Sequence, residues 1–474
     1  MMKMSKNMKL LPVIIGIAIS MGGCALAPKY TRPEAPIPAE WPSGAAYKEA
    51  KAQPVSPAPY ELSWRKFYID PRLQEVIETA LANNRDLRLA ALNVERARAM
   101  YGVQRAELFP SINASGGGGK QRIPANVMGF PESLTIERYE VNLGISAWEI
   151  DFFGRIRSLK DRALEEYLAT EEARRSARIA LVSEVARAYL TLAADREGLD
   201  LARSTLETQQ EIHDLIRRQY EVGIATKLDL SRAQTQVDTA RGDVARYTQM
   251  AALDQNALNL LAGSPVPETL LPKGLSEVTP PKEIFAGLSS EALLNRPDIL
   301  AAEHRLKGAY AFIGAARAAF FPRISLTTTL GTASDELSGL FSSGSKTWNF
   351  ASQATMPIFD ARTWAAYRVS KTEREIALTQ YEKTIQAAFR EVADALAVQG
   401  TINQQVSAQK SLTDAVAETY GLSNQRYLKG IDSYLGVLDA QRSLYAARQG
   451  LISLRLAKFA NQVRLYAVLG GGGR

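Results

Sequence analysis

Cysteine is almost missing: the 474 residues contain one, Cys24. A lone cysteine closes no internal disulfide, so the usual brace of a small exported domain is excluded. Histidine is nearly as scarce, with only His213 and His304, far apart in the chain. Metal and acid–base sites gather several ligating or titrating groups, so neither histidine is expected to serve one. No basic block occurs either: 57 Lys and Arg are interspersed with 50 Asp and Glu, for a net charge of +7. Nucleic-acid surfaces need clustered cations, and no nucleic-acid partner is expected. Gly116-Gly-Gly-Gly119-Lys120 invites a phosphate-loop reading, but Gln121 stands where Ser or Thr should meet magnesium. The expectation is therefore no enzyme, no catalytic or metal-binding residue and no resident cofactor.

Long apolar runs are also lacking beyond the N-terminus. Lys3, Lys6 and Lys9 precede an apolar stretch from Leu10 to Met21, the layout of an export signal, too short to span a bilayer comfortably. It ends Met21-Gly22-Gly23-Cys24-Ala25. Small residues before a cysteine at this place resemble a bacterial lipobox, which implies a signal peptide over residues 1–23 and a lipidated Cys24. Ala25, where inner-membrane lipoproteins carry Asp, implies sorting to the outer membrane. Two or more acyl chains give stable anchoring. Residues 24–62 then hold Pro28, Pro33, Pro36, Pro38, Pro42, Pro54, Pro57 and Pro59. Such a segment is read as an extended strap rather than a helix.

What is abundant is uninterrupted helix-forming sequence. Gly154 to Tyr220 runs 67 residues without proline, rich in Ala, Leu, Glu and Arg, which at the helical rise is a rod of ~100 Å. Arg362 to Tyr427 repeats it. The repetition is general. Arg105-Ala-Glu-Leu-Phe-Pro110 matches Arg317-Ala-Ala-Phe-Phe-Pro322 at an offset of 212. Beyond the following strands the offset becomes 207, pairing Arg155 with Arg362, Tyr220 with Tyr427, Gly223 with Gly430 and Gly263 with Gly470. Repeat 1 is assigned to residues 63–263 and repeat 2 to 287–470, with a proline-rich linker at 264–286. Each reads as helix, β-hairpin, long helix, tight turn and returning helix, with the returning helices at 225–261 and 432–469. The hairpins, about 110–148 and 322–357, carry a period of two: Tyr139, Val141, Leu143, Ile145 and Ala147 alternate with Arg138, Glu140, Asn142, Gly144 and Ser146. About ten such residues suit a tilted membrane strand. Four strands leave open edges that lipid does not tolerate, so they must be donated to a shared barrel; three copies give twelve strands. Gly223 and Gly430 supply the left-handed turn between the helices of each pair.

The lipobox-like start, Trp64-x-x-Phe67-x-x-Asp70-Pro71-x-Leu73, Asp151-Phe152-Phe153-Gly154-Arg155, Asn295-Arg-Pro-Asp298, Gly314-Ala-Ala-Arg-Ala-Ala-Phe-Phe-Pro322, Tyr427-x-x-Gly430-Ile431 and Leu438-Asp439-Ala-Gln-Arg442 together resemble the outer-membrane factor (TolC-like) family, nearest its lipidated OprM type. The resemblance implies a mainly α fold with membrane β: a homotrimeric channel-tunnel with a shared 12-stranded barrel in the outer membrane and a long periplasmic α-barrel. It implies a passive exit duct for drugs and other small toxic compounds. A periplasmic adaptor protein and an inner-membrane resistance-nodulation-division (RND) transporter are the implied partners. It also places a periplasmic gate at Leu435, Asp439 and Arg442, with Arg442 set to offset the charge of Asp439. Further acids that face the lumen or the first helical pair fall at Asp195 and Asp254, and adaptor contacts at the tips Tyr220, Gly223, Tyr427 and Gly430. The rival readings are a heavy-metal or polypeptide secretion duct on the same fold, or a structural envelope lipoprotein.

Overall fold

The computed structural model describes residues 26–47, 62–129, 131–284 and 289–472; the signal segment and Cys24 lie outside the described residues. Among these, α1 spans Pro71–Asn83, α2 Arg85–Ala106, β1 Ile112–Ile123, β2 Leu134–Ile150, α3 Arg155–Glu221 and α4 Lys227–Ala262. The second half gives α5 Pro297–Ala318, β3 Arg323–Ser334, β4 Lys346–Thr355, α6 Ala361–Leu428 and α7 Tyr434–Val468. The strap, expected to be extended throughout, includes one short 3-10 turn at Ala45–Tyr47. Helices α3 and α6 are 67 and 68 residues long, as their proline-free composition requires.

The chain forms two compact units. The first takes in residues 94–169 and 302–381, with the strap as far as Pro33. Its centre is one antiparallel sheet in the order β1-β2-β3-β4, so β1 and β4 are unpaired edges. The register sets Ala114, Leu143, Leu330 and Trp348 across one row, and Ile112, Ile145, Thr328 and Phe350 across another. Side chains alternate along strands, so these rows share one face. That face is uncovered: Leu143, Leu330, Phe350 and Trp348 are 56%, 67%, 62% and 78% exposed.

Strand β2 is 17 residues long, longer than the alternation predicts. Its register against β3 shifts between Ile145 and Trp148, and Ala147 sits at φ 49°, so the alternation expected to run through Ala147 ends at Ile145. This bulge lets Trp148 and Ile150 resume pairing with Leu326 and Ile324. Thr327 receives the freed Ala147 N–H through its hydroxyl at 3.1 Å. Gly144 permits the close β2–β3 approach, since a Cβ there would lie 2.2 Å from the Thr328 carbonyl.

The second unit takes in Glu34–Asn93, Thr170–Ala301 and the chain from Glu382 onward. Its core gathers Phe67, Tyr68, Leu73 and Val76 with Val185, Tyr189, Leu258 and Tyr466. Phe67 stacks on Tyr466 at 4.0 Å between ring centroids. Asp70 explains its motif: it caps α1 by accepting from Arg72 N and Leu73 N, with Pro71 at the first helical position, and also holds Thr279 N at 3.1 Å.

The repeat is visible in equivalent contacts. Asn84 Nδ2 donates to the Leu261 carbonyl at 3.0 Å, and Arg296 Nη1 donates to the Val468 carbonyl at 2.8 Å. Each donor sits at the head of its repeat's hairpin-bound helix, and each acceptor ends the returning helix. The larger Arg296 side chain also reaches Asp298 at 2.7 Å and Glu391 at 3.0 Å. Gly263 and Gly470 then leave their helices at φ 70° and 81°, the left-handed exit that glycine adopts freely.

Candidate functional site

The two helical turns are the nearest thing to a site, and both belong to the second unit. At the first, Gly223 adopts φ 79°; its N–H reaches the Tyr220 carbonyl at 3.0 Å, and Ile224 N reaches Gln219 O at 2.8 Å. At the second, Gly430 adopts φ 72°, its N–H reaches the Tyr427 carbonyl at 2.9 Å, and Ile431 N reaches Arg426 O at 3.0 Å. The backbone of the turn is thus repeated. The side chains are not. Tyr220 is 41% exposed, with Lys227 Nζ 5.7 Å from its ring. Tyr427 instead donates to Gln219 Oε1 at 3.1 Å and packs with Tyr434 over a cluster of Ile216, Ala233, Val437 and Leu438. Apolar side chains crown both turns, with Val222 and Ile224 71% and 76% exposed and Leu428 66% exposed.

The helix starts differ as well. Thr226 and Asp229 form a capping box at α4: Asp229 N donates to Thr226 Oγ1 and Thr226 N donates to Asp229 Oδ2, each at 3.2 Å. Ser433, its counterpart at α7, makes no side-chain cap bond. Gly436 stands where repeat 1 has Asp229, which removes the reciprocal carboxylate.

Leu435, Asp439 and Arg442 lie together on the open side of α7, whose opposite side buries Val437, Leu438, Gln441 and Leu444. The structure corrects one detail of the sequence reading. Arg442 does not turn to Asp439; its Nε donates to Gln236 Oε1 on α4 at 3.0 Å. Among the described residues the Asp439 carboxylate has no side-chain partner. Gln236 is buried and close to hand, whereas a pair with Asp439 would hold two long side chains in solvent for little gain.

Asp195 and Asp254 are brought together, facing each other between α3 and α4. Burial and the neighbouring Asp254 carboxyl push Asp195 up to about 7, with Arg246 pulling the other way. One Asp254 oxygen is buried without a hydrogen-bond partner. Beside them Tyr247 lies against Gly198, where a Cβ would come within 2.5 Å of the ring.

Sequence reasoning missed the clamp that holds the strap. Glu303 on α5 is 4% exposed. It accepts from Tyr30 Oη and from Lys307 Nζ, both at 3.1 Å, and forms a short ion pair with Arg32. Burial works to raise the Glu303 carboxyl, but the hydrogen bonds from Arg32 and Lys307 hold it below its ordinary value. Arg317 Nη1 holds the Leu26 carbonyl at 3.1 Å, and Ala27 fits only because residue 314 is glycine. The one signal was Gly314 itself. Its repeat counterpart Gly102 has open space around it, whereas Gly314 is crowded by Ser158 on α3 and by Ala27 of the strap.

A family model described as outer membrane efflux protein matches residues 76–264 and 288–471, once in each repeat. The chain is 48% identical over 456 residues to an antibiotic efflux pump outer membrane protein, ArpC of Pseudomonas putida, covering 96% of this chain and 94% of that one. The same identity and coverage hold for a toluene efflux pump outer membrane protein, TtgC, of the same species. Among solved structures, the open state of the Neisseria gonorrhoeae MtrE outer membrane channel aligns with a TM-score of 0.85 and 36% identity, over 95% of this chain and 99% of that one.

Proposed function

Because the chain belongs to the outer membrane efflux protein family, we propose that three copies pair their sheets edge to edge into one barrel that conducts cargo passively. The protein is an outer-membrane exit channel of a tripartite efflux pump. One observation carries the trimer: a four-stranded sheet with an uncovered apolar face and both edges unpaired. In lipid each open backbone group costs several kcal/mol, and only closure removes the edges. Three such sheets supply twelve strands, an even number within the usual range. The same three-fold axis gathers three α7 helices, and the open stripe of Leu435, Asp439 and Arg442 becomes a ring. Three carboxylates without side-chain partners repel one another at roughly 1 kcal/mol per pair if ~8 Å apart, which biases the ring towards opening or towards cations.

The cargo is read as small apolar or amphipathic toxic compounds, in keeping with relatives named for toluene and antibiotic efflux. The family is one of channels, and no catalysis is assigned. A periplasmic adaptor is expected to seat on the turns at Tyr220–Gly223 and Tyr427–Gly430, where the exposed apolar crown supports the reading. An RND transporter supplies the drive. A lipid on Cys24 belongs to the same reading, and Arg317 holds the strap at Leu26, two residues beyond. The deciding experiment is planar-bilayer recording of the purified protein. Discrete single-channel steps are expected, whereas a preparation that inserts into liposomes yet carries no current would overturn the duct.

A further inference from the structure

The uncovered face of the sheet ends, towards the hairpin loops, in charge. On β4, Lys346 lies two residues beyond Trp348 on the same face. On β1, Lys120 and Arg122 lie two and four residues beyond Gly118, which pairs with Tyr139. These are the only three cations that the register puts on that face of the four strands. The others, Arg138 and Arg323, alternate to the opposite face. All three sit on the edge strands. In the rows these cations occupy and the one between, the central strands carry on that face Val141, Tyr139, Glu137 and Thr135 on β2 and Thr332 and Ser334 on β3, with Glu137 the one carboxylate.

The cations are also available. Lys120 and Glu137 form an ion pair, but with 66% and 33% of their side chains exposed it holds weakly. Arg122 spends Nε and Nη2 on Ser133 Oγ, at 3.2 and 3.0 Å. Lys346 has no partner among the described residues, and its neighbour Trp348 is 78% exposed. An aromatic residue at the end of an apolar band, with a free lysine just beyond it, is the layout of a membrane–water interface.

We propose that Lys346 on one copy and Lys120 with Arg122 on the next form, at each seam where β4 meets β1, a binding site for the phosphorylated sugar headgroup of an outer-leaflet lipid. The inference rests on the closed-barrel reading, since the two edges meet only between copies. Charge complementarity selects the occupant: three cations against one carboxylate, at the level where an outer membrane presents phosphates. Phosphate takes Lys as a point charge and Arg through its fork. Placing the cations at the seams ties each lipid to two subunits, so the lipid staples the barrel where it has least covalent support.

Native mass spectrometry of the purified full-length protein tests this, after incubation with bisphosphorylated lipid A, monophosphorylated lipid A or phosphatidylcholine. The trimer should retain the bisphosphorylated lipid about tenfold better than the zwitterionic one, and added salt should weaken retention. K120Q/R122Q/K346Q should lose that preference, and K346Q alone should lose most of it because each site needs both edges. R138Q, altering the opposite face, should retain it. An intact triple-variant trimer that keeps the wild-type preference overturns the site and leaves the barrel standing. A wild type that is monomeric under these conditions overturns both.

Discussion

The first and second helical turns share one backbone and differ in how it is fastened. Gly223 and Gly430 have φ values of 79° and 72° and make equivalent bonds. The first turn feeds a helix locked by the Thr226–Asp229 capping box; the second feeds α7 from an uncapped Ser433, with Gly436 in the opening turns. A cap contributes ~1 kcal/mol and an interior glycine costs about as much. The second turn has the Arg426–Asp432 ion pair instead, which holds Asp432 below its ordinary value but lies in solvent. The difference continues along the helices. Asp195 and Asp254 in the first pair correspond to Ile402 and Asn461 in the second, and both of these are buried. Duplication supplied one frame. Divergence left the first pair capped but sensitive to protons, and the second uncharged at mid-height and loose at its turn. The helix with the loose start is the one that carries Leu435, Asp439 and Arg442.

The largest test of that contrast is removal of the α7 charges. D439A/R442A should raise single-channel conductance or open probability several-fold, since breaking the Arg442–Gln236 tie frees α7 from α4 and outweighs the lost repulsion of the ring. The equivalent face of α4 should tolerate alanine, and equal effects from both would end the distinction. Next come the glycines. Gly223→Ala and Gly430→Ala should each cost roughly 1–2 kcal/mol at the turn, read as faster amide exchange in the flanking helix ends. The capping difference predicts opposite signs. Thr226→Ala should loosen α4 by ~1 kcal/mol, whereas S433T/G436D should tighten α7 by a similar amount and lower its open probability. If the installed box leaves the current unchanged, fraying of α7 plays no part in gating.

The smallest effect is the proton dependence of the first pair. Asp195 is raised to about 7 from 3.8, so the folded state binds a proton that the unfolded state releases. Its stabilisation is complete below about pH 4 and lost as pH rises through about 7. Partial exposure screens the effect, leaving roughly 1 kcal/mol. Asp195→Asn should flatten the dependence of melting temperature on pH between these limits, and a slope equal to wild type would remove the pair from the account.

Local signals made much of this legible. Proline-free, alanine-rich stretches and flanking glycines predicted long helices that the structure ends within two residues of the expected limits. Alternation identified the apolar face of each hairpin. What stayed hidden were contacts between residues distant in sequence, each decided by packing. Arg32 meets Glu303 across 271 positions and Arg442 meets Gln236 across 206. Asp195 and Asp254 could be assigned as acids but not as partners. The last residues of β2, Trp148 to Ile150, were hidden because a bulge at Ala147 breaks the very period that announces a strand.

A closed barrel requires β1 of one copy to lie beside β4 of another. Within one copy three strand spacings separate them, ~14 Å, beyond the reach of a disulfide. Cysteines placed one on β1, at Ser115, Gly117 or Gly119, and one on β4, at Thr347, Asn349 or Ala351, should therefore oxidise only between copies. The predicted result is a covalent ladder on a non-reducing gel that stops at three; a product that remains monomeric for every pair, or a ladder that runs past three, contradicts it.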